Sequence, residues 1–320
     1  MDVSKLNDII KQSKNILIIS HVNPDGDTLG SMCGLYSIIK DNFKKKCEML
    51  ALSNIPPVYE FIPYVGLVKS LEDFDLSREY DLVINTDVAA LDRICDAKIL
   101  FEKAKHTANI DHHKTNIAYA DINIINPDAS STGEVIFSIF KNEKITKETA
   151  ICLYTAILTD TGSFRFDNTK PETFDCASKL VALGANPSDI YKKVYESDSK
   201  TLVMFQAHCI SKAKFVDNDK IAYTLVYRKD MEKFLAGEDC MEGLTEKLRA
   251  IVTTRVAFVA KEMKSGATKI SMRSKFADVA QICETFGGGG HKFAAGCTIK
   301  APVEVAAKKV LEEIKKIDEI

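Results

Sequence analysis

A repeated junction constrains this chain most: an unbroken apolar run that ends abruptly in Asp or His. Residues 15–20 (NILIIS) run straight into His21-Val22-Asn23-Pro24-Asp25-Gly26-Asp27. Residues 81–86 (DLVINT) end at Asp87, and residues 106–110 end at Asp111-His112-His113. A run without polar alternation suits a strand buried on both faces, as in a parallel sheet. Helical patterns fall between the runs, over residues 28–41, 132–140, 148–158 and 172–183, with residues 1–12 ahead of them and a further strand over 46–52. Strands alternating with helices give an α/β fold with a doubly wound parallel sheet. In such a sheet, ligands bind beyond the carboxyl ends of the strands. The acidic clusters lie there.

The texture changes after about residue 190. Residues 197–213 read as a polar connecting helix. Strands follow at 221–227, 255–261 and 269–272, then a helix at 276–286, a run of four glycines with His291, and an amphipathic helix at 303–317. We therefore expect a metal domain over 1–190, a linker helix over 191–215 and a smaller α/β domain over 216–320. At 320 residues with 46% hydrophobic content, the chain has enough core for two domains.

The formal net charge of -2 lacks the basic excess of long-duplex binders. An anionic substrate must then be small, or be met by a local positive site such as metal ions. No stretch reaches the roughly 18 apolar residues that span a bilayer, and the N-terminus lacks the apolar core of a signal peptide. Nine cysteines without a CxxC pair suggest reduced, buried thiols and a cytoplasmic protein without membrane attachment.

His21, Asp25, Asp27, Asp87, Asp111, His112, His113 and Asp160 offer five carboxylates and three imidazoles. That mixture suits Mn2+ or a similar divalent ion, and no Cys lies among them. Two ions sharing a bridging carboxylate would form a clamp for phosphoryl transfer. Each residue alone also reads as turn or cap chemistry: Asn23-Pro24-Asp25-Gly26 as a β-turn, Asp87 and Asp160 as caps. Their joint placement at element ends is what favours a site. The glycine run would let backbone N–H groups approach a phosphate, with Arg273 and His291 adding charge; a flexible linker is the other reading.

These residues resemble a known family. HVNPDGDTLGS (residues 21–31), Asp87, Asp111-His112-His113 and TDTGSFRF (159–166) are similar to the motifs of the DHH phosphoesterases. SMRS (271–274) and GGGGHKFAAG (287–296) resemble the DHHA1 domain. The compact group of nano-oligoribonucleases and pAp phosphatases is the most similar. The resemblance implies that His21, Asp25 and Asp87 bind one Mn2+, and that Asp27, Asp87, His112 and Asp160 bind the other. It implies His113 as the catalytic group facing the phosphate, with Asp111 orienting an imidazole. Arg273, Ser274, Gly288, Gly289, Gly290, His291 and Arg165 would hold the substrate.

The implied activity is hydrolysis of short oligoribonucleotides to mononucleotides, or of pAp to AMP, with pApA and cyclic di-AMP as further candidates, through hydroxide activated by two metals. The expected partners are short single-stranded RNA or small phosphorylated nucleotides; the sequence leaves a homodimer open. A soluble inorganic pyrophosphatase shares the first-domain motifs but not the glycine-His run. A non-catalytic nucleotide sensor would be expected to have lost a ligand such as Asp87 or Asp160.

Overall fold

The computed structural model of the protein describes residues 3–317 and divides into two units after Ser197. In the first unit, β1 (Asn15–Ile19), β2 (Lys46–Ala51), β3 (Val68–Ser70), β4 (Leu82–Thr86), β5 (His106–Asp111) and β6 (Ile122–Ile125) form one sheet. Its order is β3-β2-β1-β4-β5-β6, and every pair is parallel. Helices α1 (Val3–Gln12), α2 (Gly26–Ile38), α3 (Lys98–Lys103), α4 (Thr132–Ile139), α5 (Lys147–Asp160), α6 (Pro171–Ala182) and α7 (Pro187–Tyr195) complete the unit.

Successive residues of β1 point to opposite faces, and both faces are covered. Ile16 and Ile18 join a core with Met32 and Leu35 of α2 and Leu153 and Ile157 of α5. Leu17 and Ile19 join another with Val83, Leu100 and Phe101. The chain leaves β1 for β2 and β3, then returns on the other side of β1 with β4. This reversal of direction opens a crevice beyond the carboxyl ends of β1 and β4, where ligands settle in sheets of this kind.

Helices α2 and α5 pack at backbone distance. A Cβ on Gly30 would lie 2.5 Å from the Cys152 carbonyl oxygen and 2.9 Å from Ala156 N. Gly26 and Gly34 continue the same stripe, one turn to either side, against Thr159 and Leu153. Only glycine permits this approach. It brings Asp160, at the end of α5, to the start of α2. Helix α2 is shorter than the apolar pattern suggests. It passes at Ile39–Phe43 into a π-helical turn, where the Asn42 amide donates to Ile38 O and Lys144 O and opens the last turn.

The second unit contains α8 (Lys200–Ser211), β7 (Lys214–Val216), β8 (Ile221–Val226), α9 (Arg228–Phe234), α10 (Leu244–Arg249), β9 (Val256–Glu262), β10 (Thr268–Ser274), α11 (Val279–Glu284), β11 (Gly289–His291), β12 (Ala294–Ile299) and α12 (Val303–Ile314). The sheet order is β11-β12-β10-β9-β8-β7. Only the β8–β9 pair is parallel, joined by a crossover carrying α9 and α10. The segment read as a connecting helix belongs here: Phe205 and Cys209 of α8 are buried with Ala222, Leu248 and Ala257. The helix expected over 276–286 is confined to α11. Ser274 Oγ first accepts the N–H groups of Phe276 and Ala277, and Asp278 then caps the helix. No helix among the described residues is long and apolar enough to cross a membrane.

Candidate metal centre

Four segments of the first unit deliver polar side chains to the crevice. The loop after β1 carries His21 and Asp25. Asp25 caps α2 by accepting the Thr28 N–H, and Asp27 lies in the first turn of that helix. Asp87 follows β4 directly, with a left-handed φ of 63°. A residue other than glycine rarely sits there, and such conformations cluster where a side chain must be aimed. Asp111 ends β5, and His112 and His113 follow it. Asp160 ends α5.

The donor atoms form three overlapping groups, each within 4.8 Å: His21, Asp25 and Asp87; Asp27, His112 and Asp160; Asp87, His112 and His113. Asp87 links them. Its Oδ2 lies 3.5 Å from His21 Nε2, while its Oδ1 lies 3.8 Å from His112 Nε2 and 3.6 Å from His113 Nδ1. His112 Nε2 is also 3.7 Å from Asp27 Oδ2 and 3.6 Å from Asp160 Oδ2.

This donor set fits divalent cations. Donors about 2.1 Å from a common ion sit about 3–4 Å apart, the range of these separations. His21 and His112 each hold Nδ1 against a carbonyl oxygen, of Val22 at 2.7 Å and Ala129 at 3.4 Å. A carbonyl only accepts, so Nδ1 carries a proton; a neutral ring then turns its Nε2 lone pair to the carboxylates, the arrangement of metal-binding imidazoles, whereas a protonated ring donates Nε2–H to them. The first triad also converges on one hydroxyl. Thr28 Oγ1 lies 2.6 Å from His21 Nε2, 3.0 Å from Asp25 Oδ1 and 2.7 Å from Asp87 Oδ2. One hydroxyl proton cannot serve both carboxylates.

The electrostatics agree. Burial, joined by the charges of Asp87, Asp160 and Asp25, raises the Asp27 pKa well above the carboxylate range. Burial also lifts Asp160 to about 6, against the opposing pull of His112. Burial opposes ionisation of Asp87 too, but the His21 hydrogen bond and the nearby histidines hold it below its ordinary value. His21 is pulled down by burial, yet Asp87 brings it above its usual value. Carboxylates this crowded take up protons unless a cation is supplied.

Neighbouring groups fix the ligands. Asp27 sits on the N-terminus of α4, accepting the Thr132 and Gly133 N–H groups at 2.8 and 3.1 Å, and also takes the Ser31 hydroxyl at 2.9 Å. Thr132 Oγ1 donates to Asp87 Oδ1 at 3.0 Å. The Asn168 amide donates to the Asp160 carbonyl at 3.0 Å and to its carboxylate at 3.3 Å. Asp111 is fully buried. Its Oδ1 accepts the His113 Nδ1–H at 2.7 Å, and its Oδ2 accepts from Asn116. That bond, opposed by burial, raises the His113 pKa to about 9. Thr28, Thr132 and Asn168 are absent from the sequence reading. The one available signal was capping chemistry, Thr28 three residues after Asp25 and Thr132 after Ser130-Ser131.

Among the residues expected to hold substrate, Arg273 and His291 share a register position, each opposite Ala294 on a neighbouring strand. Arg165, on the first unit, donates Nε–H to Gly162 O at 2.6 Å. In the second unit, Arg273 Nε donates to Glu246 Oε1 at 2.7 Å, and Ser274 is buried in its turn. The glycine run is ordered edge structure: Gly289, Gly290 and His291 form β11, paired with β12. Gly288 is demanded by packing, since a Cβ there would strike Gly296 O and Cys297.

Comparison with known proteins agrees with this architecture. The DHH family, N-terminal domain, matches residues 15–157, and the DHHA1 domain matches residues 218–318. The chain is similar to the probable bifunctional oligoribonuclease and PAP phosphatase of Streptococcus mutans, at 27% identity over 96% of each chain. It is 28% identical to the bifunctional oligoribonuclease and PAP phosphatase of Bacillus subtilis, over 89% of each. It is 26% identical to the cyclic-di-AMP phosphodiesterase of Geobacillus thermodenitrificans, over 96% of this chain and 48% of that one. The crystal structure of an exopolyphosphatase-related protein from Bacteroides fragilis superposes with a TM-score of 0.92 at 26% identity, covering 98% of this chain and 95% of that one.

Proposed function

From a chain that belongs to the DHH family and carries a DHHA1 domain behind it, we propose a metal-dependent phosphoesterase that hydrolyses short oligoribonucleotides to mononucleotides and pAp to AMP. The observation that carries this reading is Asp87, whose two oxygens face two donor groups at the reversal point of the sheet. The names of the relatives support the substrate class.

His21, Asp25 and Asp87 would hold one ion; Asp27, Asp87, His112 and Asp160 would hold the second. Carboxylate and imidazole donors without thiolate favour Mn2+. When bound, such a pair supplies Lewis-acid charge at a phosphoryl group and makes water more acidic. The chain's own residues do the rest. Asp27, Asp87 and Asp160 are held by Thr132, Thr28 and Asn168, so little reorganisation is needed during reaction. Asp111 accepts the Nδ1–H of His113 and so orients the ring, turning Nε2 towards a substrate oxygen. Nine cysteines, seven of them buried, suit a reducing compartment, and we place the protein in the cytoplasm.

The test is a side-by-side assay with Mn2+ on pAp, pApA, cyclic di-AMP, two- to five-residue RNA and pyrophosphate. Release of AMP from pAp and mononucleotides from RNA, both stopped by chelation, supports the reading. Phosphate from pyrophosphate alone overturns it.

A further inference from the structure

Three side-chain donors of the first unit meet on one backbone oxygen, the carbonyl of Val88, which directly follows Asp87. Asn109 Nδ2 lies 3.1 Å from it, Asn116 Nδ2 3.2 Å and Tyr119 OH 2.9 Å. Val88 is fully buried, and a carbonyl has only two lone pairs. None of the three donors belongs to a residue set implied by the family resemblance. Asn109 lies on β5, and Asn116 and Tyr119 lie between β5 and β6. The Asp87 N–H is bound as well, to Ile110 O at 3.0 Å. The chain is thus tied to β5 and the segment after it on both sides of Asp87. A left-handed residue persists only where its surroundings over-determine it, and Asp87 is such a residue.

The strands give up apolar packing for this network. Asn85 Nδ2 on β4 donates to Tyr119 OH at 3.1 Å. Asn85 and Asn109 are partners in the β4–β5 register, and both are fully buried. Each leaves its Oδ1 without a hydrogen-bond partner among the described residues. An apolar residue avoids that cost, as Val83 does two positions earlier on β4. The two amides therefore contribute through their N–H groups.

Asn116 reaches further than the other donors. One of its amide hydrogens faces Val88 O, and the other faces Asp111 Oδ2, on the carboxylate whose Oδ1 accepts the His113 Nδ1–H. Its Oδ1 accepts the Ala118 N–H at 2.8 Å, and its own N–H donates to His113 O at 3.2 Å. Two acceptors on one side and a donor on the other fix which way the amide faces. We propose that Asn116 is a positioning residue that holds Asp87 and His113 in one frame, with Asn109 and Tyr119 securing the Asp87 side alone. The inference rests on the phosphoesterase reading. It joins the shared carboxylate of the proposed centre to the imidazole that would face the phosphate, so that neither shifts without the other.

The experiment compares Asn116→Ala with Tyr119→Phe in the full chain. Asn116 is a half-buried loop residue, and Phe keeps the ring that packs on Phe101, so both variants should retain the wild-type circular dichroism. In calorimetric titration of metal-free protein, Mn2+ affinity should fall about 10–100-fold in Asn116→Ala and less in Tyr119→Phe, which leaves two donors on Val88 O. In NMR of metal-free protein, the His113 Nδ1–H resonance, identified by its loss in His113→Ala, should move in Asn116→Ala and stay in place in Tyr119→Phe. At saturating Mn2+, Asn116→Ala should lower kcat on pAp by about 10–100-fold at constant KM. Unchanged Mn2+ affinity or an unmoved resonance in Asn116→Ala overturns the inference. So does a resonance that moves as far in Tyr119→Phe, since both variants would then only loosen the loop. A wild type that cleaves no nucleotide refutes the phosphoesterase reading, and the titration and the resonance still decide the role of Asn116.

Discussion

In the first unit, the side chains gathered at the strand ends are acidic and enclosed: Asp27 is 1% exposed and Asp87 3%. In the second, those around the β10 end and the β11–β12 turn, such as Phe276, Lys292 and Phe293, are cationic and aromatic, and stay in water. The contrast follows from backbone geometry. Parallel strands covered on both faces converge on a crevice, which buries whatever sits there and makes like charges costly without a counter-ion. A hairpin at a sheet edge leaves its turn in solvent, where lysines need no partner and rings are free to stack. One region attracts cations and the other anions.

Asp87→Ala tests the enclosed region most severely. Hydrolysis of pAp and short RNA should fall by more than about a thousandfold, and bound Mn2+ should drop in elemental analysis, because in the proposed centre this one carboxylate would serve both ions. Activity that survives the substitution overturns the shared ligand. Asp111→Asn should cost about 10–100-fold in kcat while metal content is retained, as expected when an orienting partner of an imidazole is lost. A loss of metal equal to that of Asp87→Ala would make Asp111 part of the ion site itself.

The glycines extend the comparison to stability. Gly30→Ala places a Cβ 2.5 Å from the Cys152 carbonyl. It should cost about 1–3 kcal/mol, which lowers Tm by several degrees in a scan of the full chain. Gly289→Ala meets nothing within 4 Å and should stay within about 0.5 kcal/mol. A large loss there would mean that the hairpin is packed against something.

The smallest effect concerns Glu48 on β2, which pairs with Arg78 and Lys69 and accepts from Tyr80. Burial opposes its charge, but these partners lower its pKa to about 2. A depressed carboxylate contributes stability above its unfolded pKa of about 4.3 and loses it as pH falls through the folded value. Glu48→Gln should therefore melt lower than wild type at pH 7, with the gap closing between about pH 4.3 and 2. A gap independent of pH would assign the loss to packing.

The central strands were legible because apolar runs such as NILIIS and DLVINT have one reading when buried on both faces. The edge strands β3 and β6 were not, being three and four residues long and only partly buried. The acidic residues stood out as abrupt ends to apolar runs. Thr28, Thr132 and Asn168 did not, because a hydroxyl or amide near a helix start looks like ordinary capping until the fold shows what it touches. Asn116 and Tyr119 were hidden for a related reason: in a loop they read as turn or surface, and only three-dimensional placement brings both to the Val88 carbonyl.

The donors of the proposed metal centre are spread from His21 to Asp160. During synthesis on the ribosome, the chain holds no complete ion site until α5 has emerged and docked on the α2 glycine stripe. A fragment cut anywhere between those residues and separated holds none either. Ion uptake and heat stabilisation by Mn2+ would thus report that the first unit is whole, and an incomplete chain would have no means of cutting RNA.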